Sequence, residues 1–237
     1  MNTEERNILL KAIENRHSVR RYRPEQLDTE TIALLNSKIK ELNRTGCLHM
    51  QLVTDEPKAF NGLMAYGKFS GVRNYVIVAG EKNDTFEERV GYYGEQLVLY
   101  AQSIGLNTCW AGLSYKKIDG TYQLEDNEKI SCYIALGYGG TQGSSHKCKS
   151  VEDVSNVSVN TPEWFKDGVK AALLAPTAIN QQKFFFEYIE PDAPGKKAKV
   201  RGKKGFSMVG YTKIDLGIAK LHFEIGADPD NFSWASH

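Results

Sequence analysis

The sequence has no Cys-x-x-Cys pair, no long apolar run and almost no net charge, and each absence removes a class of function. Cys47, Cys109, Cys132 and Cys148 stand far apart. Isolated thiols of this kind suit a reducing compartment and not a disulfide framework. His146 lies beside Cys148, but no second His/Cys pair answers them at zinc-like spacing, and no metal is expected. The longest apolar runs fall far short of a membrane span. The first residues, Met1-Asn2-Thr3-Glu4-Glu5-Arg6, are polar and acidic, which argues against a signal peptide and for a cytoplasmic location. Thirty Lys and Arg stand against 29 Asp and Glu, a formal net charge of +1, so no global field favours nucleic acid or a membrane surface. No Gly-x-Gly-x-x-Gly follows a strand. The nearest approach, Gly137-Tyr138-Gly139-Gly140, leads into a polar stretch and not a helix, which disfavours a Rossmann-like dinucleotide binder.

What is present is an ordinary globular composition, 41% hydrophobic in 237 residues, enough for one large domain or two small ones sharing a core. Apolar residues at helical spacing predict helices over 3–15, 28–46, 86–104, 161–175 and 213–226. Asp28 is a natural cap, Leu27 and Ile32 have the spacing of a hydrophobic staple, and Gly46 is a natural stop. Thr161 and Pro162 fit the start of the fourth helix. Short β-branched or apolar runs predict strands over 48–53, 75–79, 130–136 and 184–189. Residues 141–160 read as a polar linker and 191–205 as a loop or hairpin tip. The pattern lacks strict βαβ alternation and points to an α+β fold. The segments Gly94–Leu106 and Asp215–Ala227 match in their apolar, small and glycine positions, which suggests an internal duplication. Residues 1–150 would form one half and 151–237 the other, in one compact unit.

Four short segments carry chemistry. In Arg16-His17-Ser18-Val19-Arg20, extended backbone would put Arg16, Ser18 and Arg20 on one face, two forked cations and a hydroxyl suited to a phosphate. Lys147 and Lys149 repeat that spacing. Pro176-Thr177-Ala178-Ile179-Asn180-Gln181-Gln182 joins small residues to three carboxamides, which match the edge of a heterocycle. Gly105-Leu106-Asn107-Thr108-Cys109-Trp110-Ala111-Gly112 offers a tight turn with exposed backbone N–H groups. Each alone is an ordinary surface strand, charged loop, turn or helix end. A fifth feature, the cations Lys196, Lys197, Lys199, Arg201, Lys203 and Lys204, lacks the interleaved aromatics of a single-strand binder, and a solvated hairpin tip explains it.

Together the Arg-x-Ser-x-Arg segment, the Pro-Thr-x-x-Asn-x-Gln turn, the helix ending Gly-Leu and the late Lys-x-Lys resemble the nitroreductase family over nearly the whole chain. The resemblance implies a nitroreductase-like α+β fold, with a central, mostly antiparallel sheet flanked by helices, and FMN as cofactor. It implies phosphate contacts from Arg16, Ser18, Lys147 and Lys149, and places Arg20 near the flavin pyrimidine edge. Thr177, Ala178 and Asn180 match the turn that the partner subunit supplies in that family, and Ala111 and Gly112 the backbone that meets the flavin N5. His17, Trp110, Pro176 and Gln181 lie within the same motifs and are taken as cofactor-binding positions with them. Tyr66, Tyr92 and Tyr93 are further, weaker pocket candidates, for which core packing is the better expectation.

One departure stands out: family members carry the Pro-Ser-x-x-Asn turn early, whereas here it comes late and residues 44–48 hold no such turn. This resembles the branch of the family with two fused half-domains, an internal pseudo-dimer in which the first half keeps the phosphate site and the second supplies the turn. One FMN per chain is then expected, in a monomer or weak homodimer, with no nucleic-acid or membrane partner. The implied reaction is hydride transfer from NADH or NADPH through the flavin N5 to a small-molecule acceptor such as a nitroaromatic or quinone. No side chain is assigned as a catalytic acid or base. A flavin-binding carrier or sensor without turnover is the alternative.

Overall fold

The structure is a computed structural model, and it describes residues 2–62, 65, 67–193 and 195–235. Tyr66 lies outside them. Helix α1 (Thr3–Asn15) begins where the Asn2 side chain accepts from the Glu5 N–H at 2.8 Å. Helix α2 (Thr29–Gly46) begins where Asp28 accepts from the Thr31 N–H at 2.7 Å, and it stops with Cys47 in the left-handed region. Leu27 and Ile32 pack into one cluster, as a staple requires. Helices α3 (Phe86–Ser103), α4 (Glu163–Leu173) and α5 (Thr212–Ala227) complete the set. Thr161 does not cap α4; its hydroxyl accepts from the Ser158 N–H at 2.9 Å, inside the preceding turn.

The strands form two sheets. The first orders β1 (His49–Val53), β2 (Asn74–Glu81), β4 (Glu128–Gly137) and β3 (Asn107–Ala111) as β1-β2-β4-β3, antiparallel throughout. Val76, Val78, Cys132 and Ile134 face one way, into the core that α2 and α3 share. Tyr75, Ile77, Tyr133 and Ala135 face the other, into a cluster with Val19, Tyr22 and Phe60. Both faces of β2 and β4 are therefore covered, which is why these strands read as continuous apolar runs instead of alternating ones. The second sheet orders β5 (Phe184–Ile189), β6 (Ala198–Lys204) and β7 (Phe232–Trp234), with β5 and β6 antiparallel and β6 and β7 parallel. Strand β6 replaces the second half of the loop expected over 191–205. Ala198, Val200 and Gly202 point inward between outward cations, and Arg201 and Lys203 both pair with Glu187 on β5 while Lys199 pairs with Asp192. Likewise the 141–160 stretch is no free linker: Val154 is fully buried, and Ser155 bridges to Phe186.

The main core draws on both halves, from Leu27 to Phe232. At its centre α3 and α5 cross in backbone contact. A Cβ on Gly91 would lie 2.0 Å from the Ile214 carbonyl oxygen, and a Cβ on Gly217 would lie 2.0 Å from that of Glu88. The contact is reciprocal: Gly91 also abuts the Ile218 nitrogen and Gly217 the Tyr92 nitrogen. Gly91 and Gly217, Glu88 and Ile214, Tyr92 and Ile218 are each 126 positions apart. This register differs from the sequence match of Gly94 with Asp215, whose members are 121 positions apart.

Candidate functional site

After α1 the chain runs extended along the edge of the first sheet. Ser18 bridges to Thr108, and the Val19 N–H donates to the Thr108 carbonyl at 3.0 Å. Val19 points into the core, so Ser18 and Arg20 point the other way, beside Trp110 and Gly112 at the end of β3. Across from them stands the turn after α4, from Pro176 to Ile179, and the start of α5. These elements enclose a cleft of about 300 Å³ lined by Ser18, Arg20, Trp110, Gly112, Pro176, Thr177 and Ala178, with Lys68, Cys132, Tyr211, Asp215 and Ile218 among the other lining residues. That volume is at the lower end for small-molecule sites. A larger hollow of about 670 Å³ lies elsewhere, between α1, α3 and α5, and contains none of the motif residues.

The turn is held in an unusual backbone. Ile179, Asn180 and Gln182 all have positive φ, at 47°, 57° and 45°, and for β-branched Ile179 this conformation is an outlier. Side chains fix it in place. The Asn180 and Gln182 amides both donate to the Lys147 carbonyl, at 2.8 and 2.9 Å. Lys149 donates from its backbone N–H to the Gln182 side chain at 2.9 Å and from Nζ to the Gln182 carbonyl at 2.7 Å. The Gln181 amide donates to Asp215 Oδ2 at 2.6 Å, and the Ala178 N–H donates to Oδ1 at 3.0 Å. Much of the carboxamide capacity thus goes into binding the turn to the 147–149 segment and to α5. Burial pushes the Asp215 carboxyl up to about 6, against the opposing pull of these two bonds.

Residues 8–227 match the model of a protein family described as "Putative TM nitroreductase". The chain belongs to this nitroreductase family. Among solved structures, a Thermotoga maritima "putative nitroreductase" is 21% identical, with 92% of this chain and 82% of that one covered at a TM-score of 0.59. A Streptococcus mutans "nitroreductase-like protein" is 13% identical, over 64% of this chain and 98% of that one, at 0.50. A Desulfovibrio desulfuricans "putative nitroreductase in complex with FMN" is 19% identical, over 65% and 96%, at 0.49. No curated protein matches the chain.

Against this nitroreductase frame, the motif residues divide into two groups. Ser18, Arg20, Trp110, Gly112, Pro176, Thr177 and Ala178 line the cleft, and Ala111 is buried directly before Gly112. Lys147, Lys149, Asn180 and Gln181 stand together beside it through the bonds above. His17 is half-buried at the same end; burial, then the Arg16 and His146 charges, hold its pKa below the usual value. Arg16 departs from simple strand alternation. Its side chain is 3% exposed, 3.7 Å from the carboxylate of Glu95 on α3, and reaches the Leu174 carbonyl only at 3.5 Å. The tyrosine candidates lie elsewhere: Tyr92 bonds Glu224, and Tyr93 packs against Gly46. Sequence motifs missed Asp215, Glu95 and His222. The legible signal was helical spacing, since Asp215 and His222 fall two turns apart on the buried stripe of α5, where a polar residue demands a reason.

Proposed function

We propose that the chain is an FMN-dependent oxidoreductase that takes hydride from NADH or NADPH and passes it to a small nitroaromatic, quinone or similar acceptor. The observation that carries this reading is convergence: three motifs, from Ser18 to Ala178, line one cleft, and the fourth, at Lys147 and Lys149, is bonded to the turn that forms its wall. The donor set fits FMN. Arg20, Lys68, Ser18 and Thr177 offer cations and hydroxyls, Trp110, Ile214 and Ile218 offer flat and apolar walls, and the Arg16 Nε is a buried donor without a partner. A flat ring with a phosphorylated polar tail needs both kinds of surface. When bound, FMN supplies hydride chemistry at N5 that no protein side chain provides.

The chain's own residues bind and orient. Ser18 and the neighbouring cations receive the anionic tail, and Arg20 favours negative charge on the ring. The Pro176–Gln182 turn, braced by Asp215 and the 147–149 segment, closes the opposite wall. Asp215 holds or yields a proton near neutrality at that wall. Because the first half contributes Ser18, Arg20 and Trp110 and the second contributes Thr177 and Ala178, one chain completes the cleft. The reciprocal α3–α5 crossing supports the reading of a fused pseudo-dimer.

The test is a visible spectrum of the purified protein, with the cofactor released by heat and identified. Close to one FMN per chain is expected, followed by NAD(P)H oxidation that quinones or nitroaromatics accelerate. A colourless protein that also fails to bind added FMN overturns the reading. FMN binding without acceptor-stimulated oxidation reduces it to a carrier or sensor.

A further inference from the structure

Behind Trp110 lies a buried polar cluster that the motifs do not contain. Glu95 and His222 are both fully buried. The Trp110 Nε1–H donates to Glu95 Oε2 at 2.8 Å, and the Trp110 ring lies against Gly94, where a Cβ would come within 2.5 Å of it. His222 Nε2 is 3.0 Å from Glu95 Oε1, and His222 Nδ1 is 3.2 Å from the Ala171 carbonyl oxygen.

These distances fix the proton count. A carbonyl oxygen only accepts, so Nδ1 carries a proton. The 3.0 Å contact between Nε2 and Oε1 then needs a proton of its own, since two bare lone pairs repel. It sits on His222 with Glu95 ionised, or on Glu95 with His222 neutral. In either case the pair has no net charge. Glu95 therefore does not balance Arg16. The remaining geometry agrees: the Arg16 Nε has no hydrogen-bond partner and stands 3.7 Å from Oε1. A buried guanidinium with one long bond is costly unless an anion joins it. Arg16 does not itself line the cleft, but it precedes cleft-lining Ser18 by two residues, which makes the Ser18 end the nearest part of the cleft from which an anion could reach it.

We propose that His222 is a positioning residue: by sharing a proton with Glu95 it withholds that carboxylate from Arg16 and leaves Arg16 free to hold the phosphate of bound FMN. This inference rests on the FMN reading above. His222 does not touch the cofactor; it acts through Glu95 and Arg16.

The experiment compares FMN with riboflavin, which lacks the phosphate, by equilibrium binding to the full chain. H222Q carries no shared proton, so Glu95 ionises against Arg16. FMN affinity should fall by at least about tenfold, the worth of a charge-assisted bond, with riboflavin affinity unchanged. E95Q should keep FMN affinity, and E95Q/H222Q should restore it. If Glu95 instead neutralises Arg16 in the native protein, H222Q will leave FMN affinity alone and E95Q will tighten it, and the proposal falls. Nitrogen and carboxyl NMR shifts of the unmutated protein read the pair without any variant or ligand. A neutral His222 beside an ionised Glu95 overturns the proposal. If the native chain binds neither flavin, the phosphate role falls with the FMN reading, and the NMR result still decides whether the shared proton exists.

Discussion

At the scale of single residues, the cleft stores its tension in Asp215 and Ile179. The Asp215 carboxyl is raised from 3.8 to about 6 by burial, so the folded chain binds its proton more tightly than the unfolded chain does. A raised pKa stabilises the fold below the unfolded value and loses that contribution as pH rises through the folded one. Native stability should therefore fall between about pH 4 and pH 6 relative to D215N, by roughly 3 kcal/mol for a shift of about two units. Melting curves of both proteins across this range check it, and a constant difference would refute the assignment. Ile179 is 78% exposed and buries little, so its left-handed backbone is strain without compensation from packing. I179N, which tolerates that conformation, should stabilise the fold by about 1 kcal/mol as read by denaturant midpoint. Local sequence patterns found Ser18 and Arg20 because strand alternation alone orients them. They did not foresee Arg16 turning inward, because its surroundings, Glu95 and Leu174, come from elements 79 and 158 positions away.

At the scale of elements, the helices were legible almost to the residue, since capping and periodicity are local. Asp28 and the 3.6-residue stripe of α2 show both at once. Three strands were not legible: β3, β6 and the three-residue β7, which exists only through its parallel pairing with β6. Strand β3 reads as a turn because glycines flank its five residues, and it exists because it pairs with β4. Strand β6 is hidden under its cations, whose partners sit on β5 or in the hairpin. The α3–α5 crossing is the element contact least tolerant of change. A methyl at Gly91 or Gly217 meets carbonyl oxygen, which cannot rotate away. G91A and G217A should each cost about 3 kcal/mol or more, a melting shift of about 6–12 °C for a chain of this size. At exposed Gly67 the cost of a side chain has a different source: a Cβ would meet nothing within 4 Å, but the φ of 71° is one that L side chains rarely adopt.

At the scale of the whole molecule, the cleft joins segments from both halves, and binding should follow from that. FMN affinity and stoichiometry should not change with protein concentration, as titrations over a wide range of chain concentration with parallel mass measurements would show. Binding that appears only as chains associate would mean that a second copy completes the site. Among the described residues no helix is long and apolar enough to cross a membrane. The glycine crossing also sets a schedule for the protein's birth. The face of α3 that bears Gly91 must wait for a partner 126 residues further along, which at cellular synthesis speeds is roughly 6–25 s. During that interval a newly made first half carries an uncovered apolar groove, so a ribosome stalled before residue 212 should present a client for chaperones.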